Sequence, residues 1–234
     1  MAGDDNSAQR MVGVNDYHRA LSESEIAADA HREFVGGLWE EIGELQFQFM
    51  VAQGLRPEHR LVDIGCGALR GGLHFVRYLD RGHYYGLDLN ASLIAAGRLE
   101  LERASLTDRD AHLLVDDQFN LSRFGCTFDY AISVSLVTHL FSNHIARCFC
   151  GMRKVMHNDS RFYMTFFEAP SPVHLEPILH SPGDALTYFD ADPFHYAFAE
   201  LAHLARQSGL RAQLIGPWGH PRDQRMVCLT PILL

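Results

Sequence analysis

The chain has no run of about 18 apolar residues of the kind that crosses a bilayer, and no Lys/Arg block. Its opening, MAGDDNSAQR, lacks the basic-then-apolar order of a secretion signal. These absences leave no expectation of a membrane partner and favour a cytoplasmic protein. Basic residues are outnumbered, 20 Lys and Arg against 29 Asp and Glu, for a formal net charge of −9. Nucleic-acid binding relies on basic surface to neutralise phosphates, so DNA and RNA are disfavoured as substrates.

Cysteine is sparse and odd in number. Cys66, Cys126, Cys148, Cys150 and Cys228 sit in apolar or Gly-rich segments without a regular framework, and read as reduced thiols. Cys148 and Cys150 are two apart in a helical pattern, so they point to different faces and do not share a metal. Among the 14 histidines, the spacings of His174, His180, His195 and His220 match no ligand motif, and no metal is expected. No internal repeat, low-complexity tract or Pro/Ser-rich linker divides the chain.

What is present is a 234-residue chain that is 47% hydrophobic, enough for an ordinary core. The first fifteen or so residues look loose. Phe34, Leu38, Ile42, Leu45 and Phe49 fall at helical spacing and predict one amphipathic helix ending near Gly54 and Pro57. After Pro57, short apolar runs alternate with amphipathic helices, the pattern of a parallel sheet covered on both faces. Strands are expected at 60–65, 83–89, 111–115, 128–134, 161–167, 210–216 and 224–231. Helices are expected from near Leu69 to Leu79, over 91–105, around 145–156 and over 195–208. Pro170, Pro172, Pro177, Pro182 and Pro193 mark 168–194 as an irregular insertion, and a loop of that length is often functional. The short PWGHPRD connection makes the last strand antiparallel. The chain therefore reads as an N-terminal helical extension or cap (1–56) and one α/β catalytic domain (57–234), with 168–194 as a substrate-side insertion.

The strongest local signal is Val62-Asp63-Ile64-Gly65-Cys66-Gly67 at the end of the first strand, where glycines let the backbone turn tightly and approach a ligand. Position 70 is Arg rather than the third glycine of a dinucleotide fingerprint, which weakens a nicotinamide-dependent reductase reading. Asp88 closes the second strand twenty-one residues after Gly67, where an α/β nucleotide site sets a carboxylate against ribose hydroxyls.

Together DIGCG, YYGLDL and FDYAISVSLVTHL resemble the three leading motifs of the class I S-adenosylmethionine-dependent methyltransferases, in order and spacing, from about residue 58 to the C-terminus. The resemblance implies a Rossmann-like seven-stranded sheet, mostly parallel with the last strand antiparallel, and S-adenosyl-L-methionine as cofactor. It implies that Gly65, Cys66 and Gly67 pack against the methionine portion, with Asp63 ordering the loop, Asp88 holding the ribose and Leu89 against adenine. Asp117, with Asp116 as close rival, would accept from the adenine amino group. Ser133 would lie where backbone approaches the charged methionine end.

His139, six residues on, is either a base near the transferred methyl or a packing residue. Trp218 and His220 either stabilise the final hairpin or line the acceptor pocket. The activity implied is methyl transfer to an O, N or other nucleophilic atom of a small molecule, a secondary metabolite among the candidates. The rival reading is a non-catalytic cofactor-binding protein that keeps the fold. The sequence does not name the acceptor, and it leaves the oligomeric state open, a homodimer included.

Overall fold

Strands form where β-favouring apolar runs are bounded by turn residues, and the computed structural model describes them within residues 16–170 and 173–233. The loose start expected for the first fifteen residues, and Pro172, lie outside the described residues. In chain order the strands are β1 (Leu61–Ile64), β2 (Tyr84–Asp88), β3 (His112–Val115), β4 (Phe128–Ser133) and β5 (Met156–Glu168). They continue with β6 (Ile178–His180), β7 (Ala185–Thr187), β8 (His195–Tyr196), β9 (Leu210–Pro217) and β10 (Arg225–Pro231).

The main sheet runs β3-β2-β1-β4-β5-β10-β9, with β8 added beside the end of β5. β1 to β5 pair in parallel, while β10 is antiparallel to both β5 and β9. The α/β, mostly parallel sheet with its antiparallel final strand is thus as the motifs imply. The carboxyl ends of β1, β2 and β4 meet at one edge, where the strand order reverses about β1 and ligands of open α/β sheets bind.

Two apolar layers cover the sheet. Val62 and Ile64 face a core with Ile145, Phe149 and Met152 of α6 (Ser142–Arg153) and Leu201 and Ala205 of α7 (Phe198–Gln207). Leu61 and Tyr84 face the other, with Met50 of α3 (Trp39–Ala52), Phe75 of α4 (Gly72–Tyr78) and Ile94 of α5 (Ala91–Arg103). The period-two alternation along β1 divides its side chains between the layers and puts Asp63 on the Leu61 side. No helix among the described residues is long and apolar enough to cross a membrane.

Several expected boundaries shift for local reasons. The single helix expected from Phe34 is broken: after α1 (Glu23–Ala27), α2 (Ala30–Phe34) stops, and Gly36, Gly37 and Leu38 take left-handed conformations before α3 begins. Its buried face is Ile42, Gly43, Gln46 and Met50 rather than the stripe through Leu45 and Phe49. α4 starts at Gly72, not near Leu69, because Leu69 is left-handed (φ 70°). The intervening turn packs so closely on α3 that a Cβ on Gly71 would lie 2.2 Å from Gln46 Oε1.

His195 and Tyr196 pair with Phe167 and Glu168 instead of starting α7. The 168–194 stretch is not wholly irregular, since β6 and β7 form a hairpin within it. The five cysteines are free thiols; Cys148 is buried and Cys150 exposed, so the pair does not converge.

The helices before β1 are tied down by charge as well as packing. Glu100 of α5, 2% exposed, faces the His31 ring nitrogen at 2.8 Å and accepts two-pronged bonds from Arg32 at 2.9–3.0 Å. Arg32 also lies over the Trp39 ring. Removing one partner of a buried ionic cluster leaves the others desolvated and uncompensated. Glu100→Gln is expected to lower stability by about 1–3 kcal/mol in denaturant unfolding, while an unchanged midpoint would make this cluster incidental to docking of α2.

Candidate functional site

At the end of β1 the chain turns through Gly65 (φ 76°) and Gly67 (φ 54°), backbone that side chains with a Cβ rarely adopt. The Gly65 and Cys66 amides both donate to the Leu87 carbonyl, at 2.7 and 3.1 Å, fastening the turn to β2. Asp88 completes the clasp: Oδ2 accepts from the Gly67 amide at 2.9 Å and Oδ1 from the Asn90 amide at 2.8 Å. A Cβ on Gly65 would sit 3.2–3.3 Å from the Leu136 side chain, and one on Gly67 3.0 Å from Val35. The loop is therefore closely walled on both sides.

Above it opens a cleft of about 790 Å³, mouth included, lined by Asp63, Gly65, Cys66, Gly67, Asp88, Leu89 and His139 together with Tyr17, Arg70, Ser135 and Leu136. A second lobe shares Gly65, Asp88, Leu89, Leu136 and His139 and extends to Asp116, Asp117 and Phe119. Most of the residues singled out in the sequence thus converge on one two-lobed cleft at the switch point of the sheet.

Within it the two rival acids differ. Asp116 is engaged in its own turn, accepting from the Gln118 and Asn120 amides at 2.9 and 3.0 Å and from Arg123 at 3.0 Å. Asp117 is exposed at the lobe wall.

Three candidates fall outside the lining. The Ser133 hydroxyl is buried off the cleft with no hydrogen-bond partner among the described residues. The wall there is Val134, Ser135 and Leu136. Ser135 holds a left-handed backbone (φ 61°), with its amide donating to Thr165 Oγ1 at 2.8 Å and its hydroxyl bonded to Gln224. Such a conformation costs about 1–3 kcal/mol and persists because neighbours fix it.

Trp218 and His220 stack on each other, and Trp218 packs edge-on against Phe49 of α3 while its Nε1 donates to the Gln224 carbonyl at 3.0 Å. The His220 imidazole is pushed down to about 3 by burial and by Arg70 and Arg222. Neither ring borders the cleft, and both pack within the hairpin and against α3.

His139 sits on a short 3-10 turn (Val137–His139) after β4. Its Nδ1 is 2.6 Å from Asp192 Oδ1, and its ring lies against that of Tyr17 with centroids 4.6 Å apart. A carboxylate only accepts, so Nδ1 carries the proton in this contact. Asp192 has no sequence signature, being one acid in a proline-rich loop. It reaches His139 because the insertion returns to the sheet at β8, with the Phe194 amide donating to the Thr138 carbonyl at 2.7 Å and Tyr196 Oη to the Leu140 carbonyl.

Comparison with known proteins agrees with this geometry. A family model described as a methyltransferase domain matches residues 62–162, the span that contains the glycine loop, β2 and β4. Within that span the chain carries a methyltransferase domain. Solved structures share the fold at low identity. The CcbJ methyltransferase from Streptomyces caelestis is 12% identical with TM-score 0.67, covering 94% of this chain and 99% of its own. A methyltransferase from Clostridium acetobutylicum is 9% identical with TM-score 0.64, covering 89% and 98%. The magnesium protoporphyrin IX methyltransferase of Synechocystis is 16% identical with TM-score 0.60, covering 88% and 94%.

The cleft holds an unusual acid. Burial lifts the Asp63 carboxyl to about 7, against the Tyr84 hydrogen bond, and the Asp88 charge adds to the lift. The Tyr84 hydroxyl donates to Oδ2 at 2.9 Å. An unfolded chain holds that proton only below about pH 4. The folded state therefore binds more protons between about pH 4 and 7, and this group's contribution to stability is lost as pH rises through that window. Asp63→Asn keeps an acceptor for Tyr84 and removes the slope. From about pH 5 to about pH 8, thermal melts are expected to show wild type losing more stability than the variant; parallel losses would place the titration elsewhere.

Proposed function

We propose that this chain is a class I S-adenosylmethionine-dependent methyltransferase that methylates an O, N or other nucleophilic atom of a small molecule, with His139 as the base that takes the acceptor's proton and Asp192 as the carboxylate that orients it. The observation that carries this reading is the 2.6 Å His139–Asp192 contact at the junction of the two lobes. The structural similarity to the Synechocystis magnesium protoporphyrin IX methyltransferase supports a small-molecule acceptor.

The cleft residues fit the cofactor by their chemistry. The glycine loop offers a surface free of Cβ atoms, Asp63 an acceptor for an ammonium group and Asp88 acceptor lone pairs for ribose hydroxyls. Leu89 and Phe119 offer apolar contact for adenine, and Asp117 rather than Asp116 an acceptor for its amino group. When bound, S-adenosylmethionine supplies an electrophilic methyl on sulfur. The protein's own tasks are to align the acceptor, exclude water and hold a base in place. Acceptors with a hydroxyl or protonated amine require that base, and His works near neutral pH.

The helices before β1, with Tyr17 over His139, act as the cap of the cleft in this reading, and 168–194 as the substrate-side insertion. A cytoplasmic location and a homodimer belong to the same proposal. The exposed Leu175 and Leu179 of the insertion support the homodimer, and light scattering in solution tests it.

His139→Asn is expected to bind S-adenosylhomocysteine normally and to lose roughly 10²–10⁴-fold in single-turnover rate. The assay uses an acceptor found by screening hydroxyl- and amine-bearing compounds with methyl-labelled cofactor. Asp192→Asn is expected to lose less and to shift the pH–rate profile. A folded His139→Asn variant with normal turnover would return His139 to a packing role.

A further inference from the structure

Two arginines from distant parts of the chain meet at one glycine. Arg70, just beyond the glycine loop, donates from Nη1 to the Val35 carbonyl at 3.2 Å and the Gly37 carbonyl at 2.9 Å. Arg222, in the β9–β10 connection, donates from Nη2 to the Gly36 carbonyl at 2.6 Å. A Cβ on Gly36 would lie 3.5 Å from Arg222 Nη1 and 4.0 Å from Arg70 Nη1, so the two guanidiniums flank the same backbone turn.

Arg70 is 8% exposed and lines the cleft beside Gln46 and Asp63. Among the described residues no carboxylate oxygen comes within 4.0 Å of either guanidinium, whereas Arg32 of the neighbouring α2 has Glu100 at 2.9 Å. Burial and Arg222 lower Arg70 only to about 10, so it remains a cation at neutral pH. His220, pushed down to about 3 by burial and by the two arginines, is neutral at pH 7 and adds no third positive charge.

Two like charges, one of them deeply buried, are costly when carbonyls are their hydrogen-bond acceptors and the acid that acts on Arg70, Asp63, lies beyond 4.0 Å. Backbone carbonyls take Nη1 of Arg70, and its remaining N–H groups make no hydrogen bond among the described residues. A guanidinium edge presents two parallel donors at the spacing of a carboxylate's two oxygens.

We propose that Arg70, backed by Arg222, is the carboxylate-recognition site of the cleft, holding either the methionine carboxylate of the cofactor or an acid group on the methyl acceptor. The assignment of the two sources rests on the methyl-transfer reading above; the anion site itself rests on the arginines. The bonds to residues 35–37 then make the turn between α2 and α3 the support of that site, so the cap and the anion are held by the same two side chains.

Calorimetric titration of the full chain tests this with three probes: S-adenosylhomocysteine, its decarboxylated analogue, and benzoate added to the S-adenosylhomocysteine-saturated protein. Wild type is expected to prefer S-adenosylhomocysteine over the decarboxylated analogue by roughly 10- to 100-fold, and Arg70→Met to erase that preference while Arg70→Lys restores part of it. That result assigns the cofactor's carboxylate. An unchanged preference with benzoate binding lost in Arg70→Met and weakened in Arg222→Gln assigns an acidic acceptor.

Folded variants in which neither the preference nor benzoate binding depends on the arginines would overturn the proposal and leave them as staples of the cap. If wild type binds neither nucleoside, the methyl-transfer reading fails. In that case arginine-dependent benzoate binding to the ligand-free protein upholds the anion site, and its absence overturns it. Should Arg70→Met not fold, Arg70→Lys and Arg222→Gln carry the same comparisons.

Discussion

The Asp88 carboxylate spans two amides, one on the glycine loop after β1 and one on the first turn after β2. It fixes the separation of the two strand ends between which the cleft opens. Burial raises its pKa, while the amides of Asn90, Gly67 and Leu89 act against that lift and stabilise the ionised form. Gly65 and Gly67 can follow the path this clasp requires only because they carry no Cβ, with Leu136 on one flank and Val35 on the other. The lining from Asp63 to His139 is arranged around that join.

A second constraint comes from the chain before β1. Leu21 and the Phe34–Trp39 segment pack with Ala68, Leu93 and Ala96 in a small apolar cluster of their own. The Glu100–His31–Arg32 group fastens α2 to α5, while Arg70 and Arg222 fasten the turn that follows it. The segment before α3 thus combines a small apolar cluster with a few buried polar contacts. Exchanging such contacts for solvent is less costly than opening a core of the kind formed by α6 and α7.

Legibility in the sequence followed the range of the interactions involved. β1, β2, β4 and the glycine loop were readable because their apolar runs and turn residues are local, and Asp63, Asp88 and the loop glycines all reach the cleft. The break at Gly36 and Gly37 was hidden by an apolar spacing that continues through it, although two adjacent glycines are themselves a turn signal. Position along a strand and a hairpin points to Ser133 and Trp218, but side-chain direction is set by register with β5 and packing against α3. Asp192 was invisible, since it lies 53 residues from His139 and meets it only through the return of β8 to the sheet.

The route by which Asp192 arrives ties two properties that could otherwise vary separately. The loop from Pro170 to Pro193 leaves the end of β5 and comes back beside it, carrying the carboxylate on its final stretch. A descendant or chimaera that exchanges this whole segment for another also exchanges the partner of His139. Divergence confined to the hairpin tip between β6 and β7 leaves the pair untouched. The chain therefore contains a division between a stretch open to drift and a stretch held in step with the imidazole it serves.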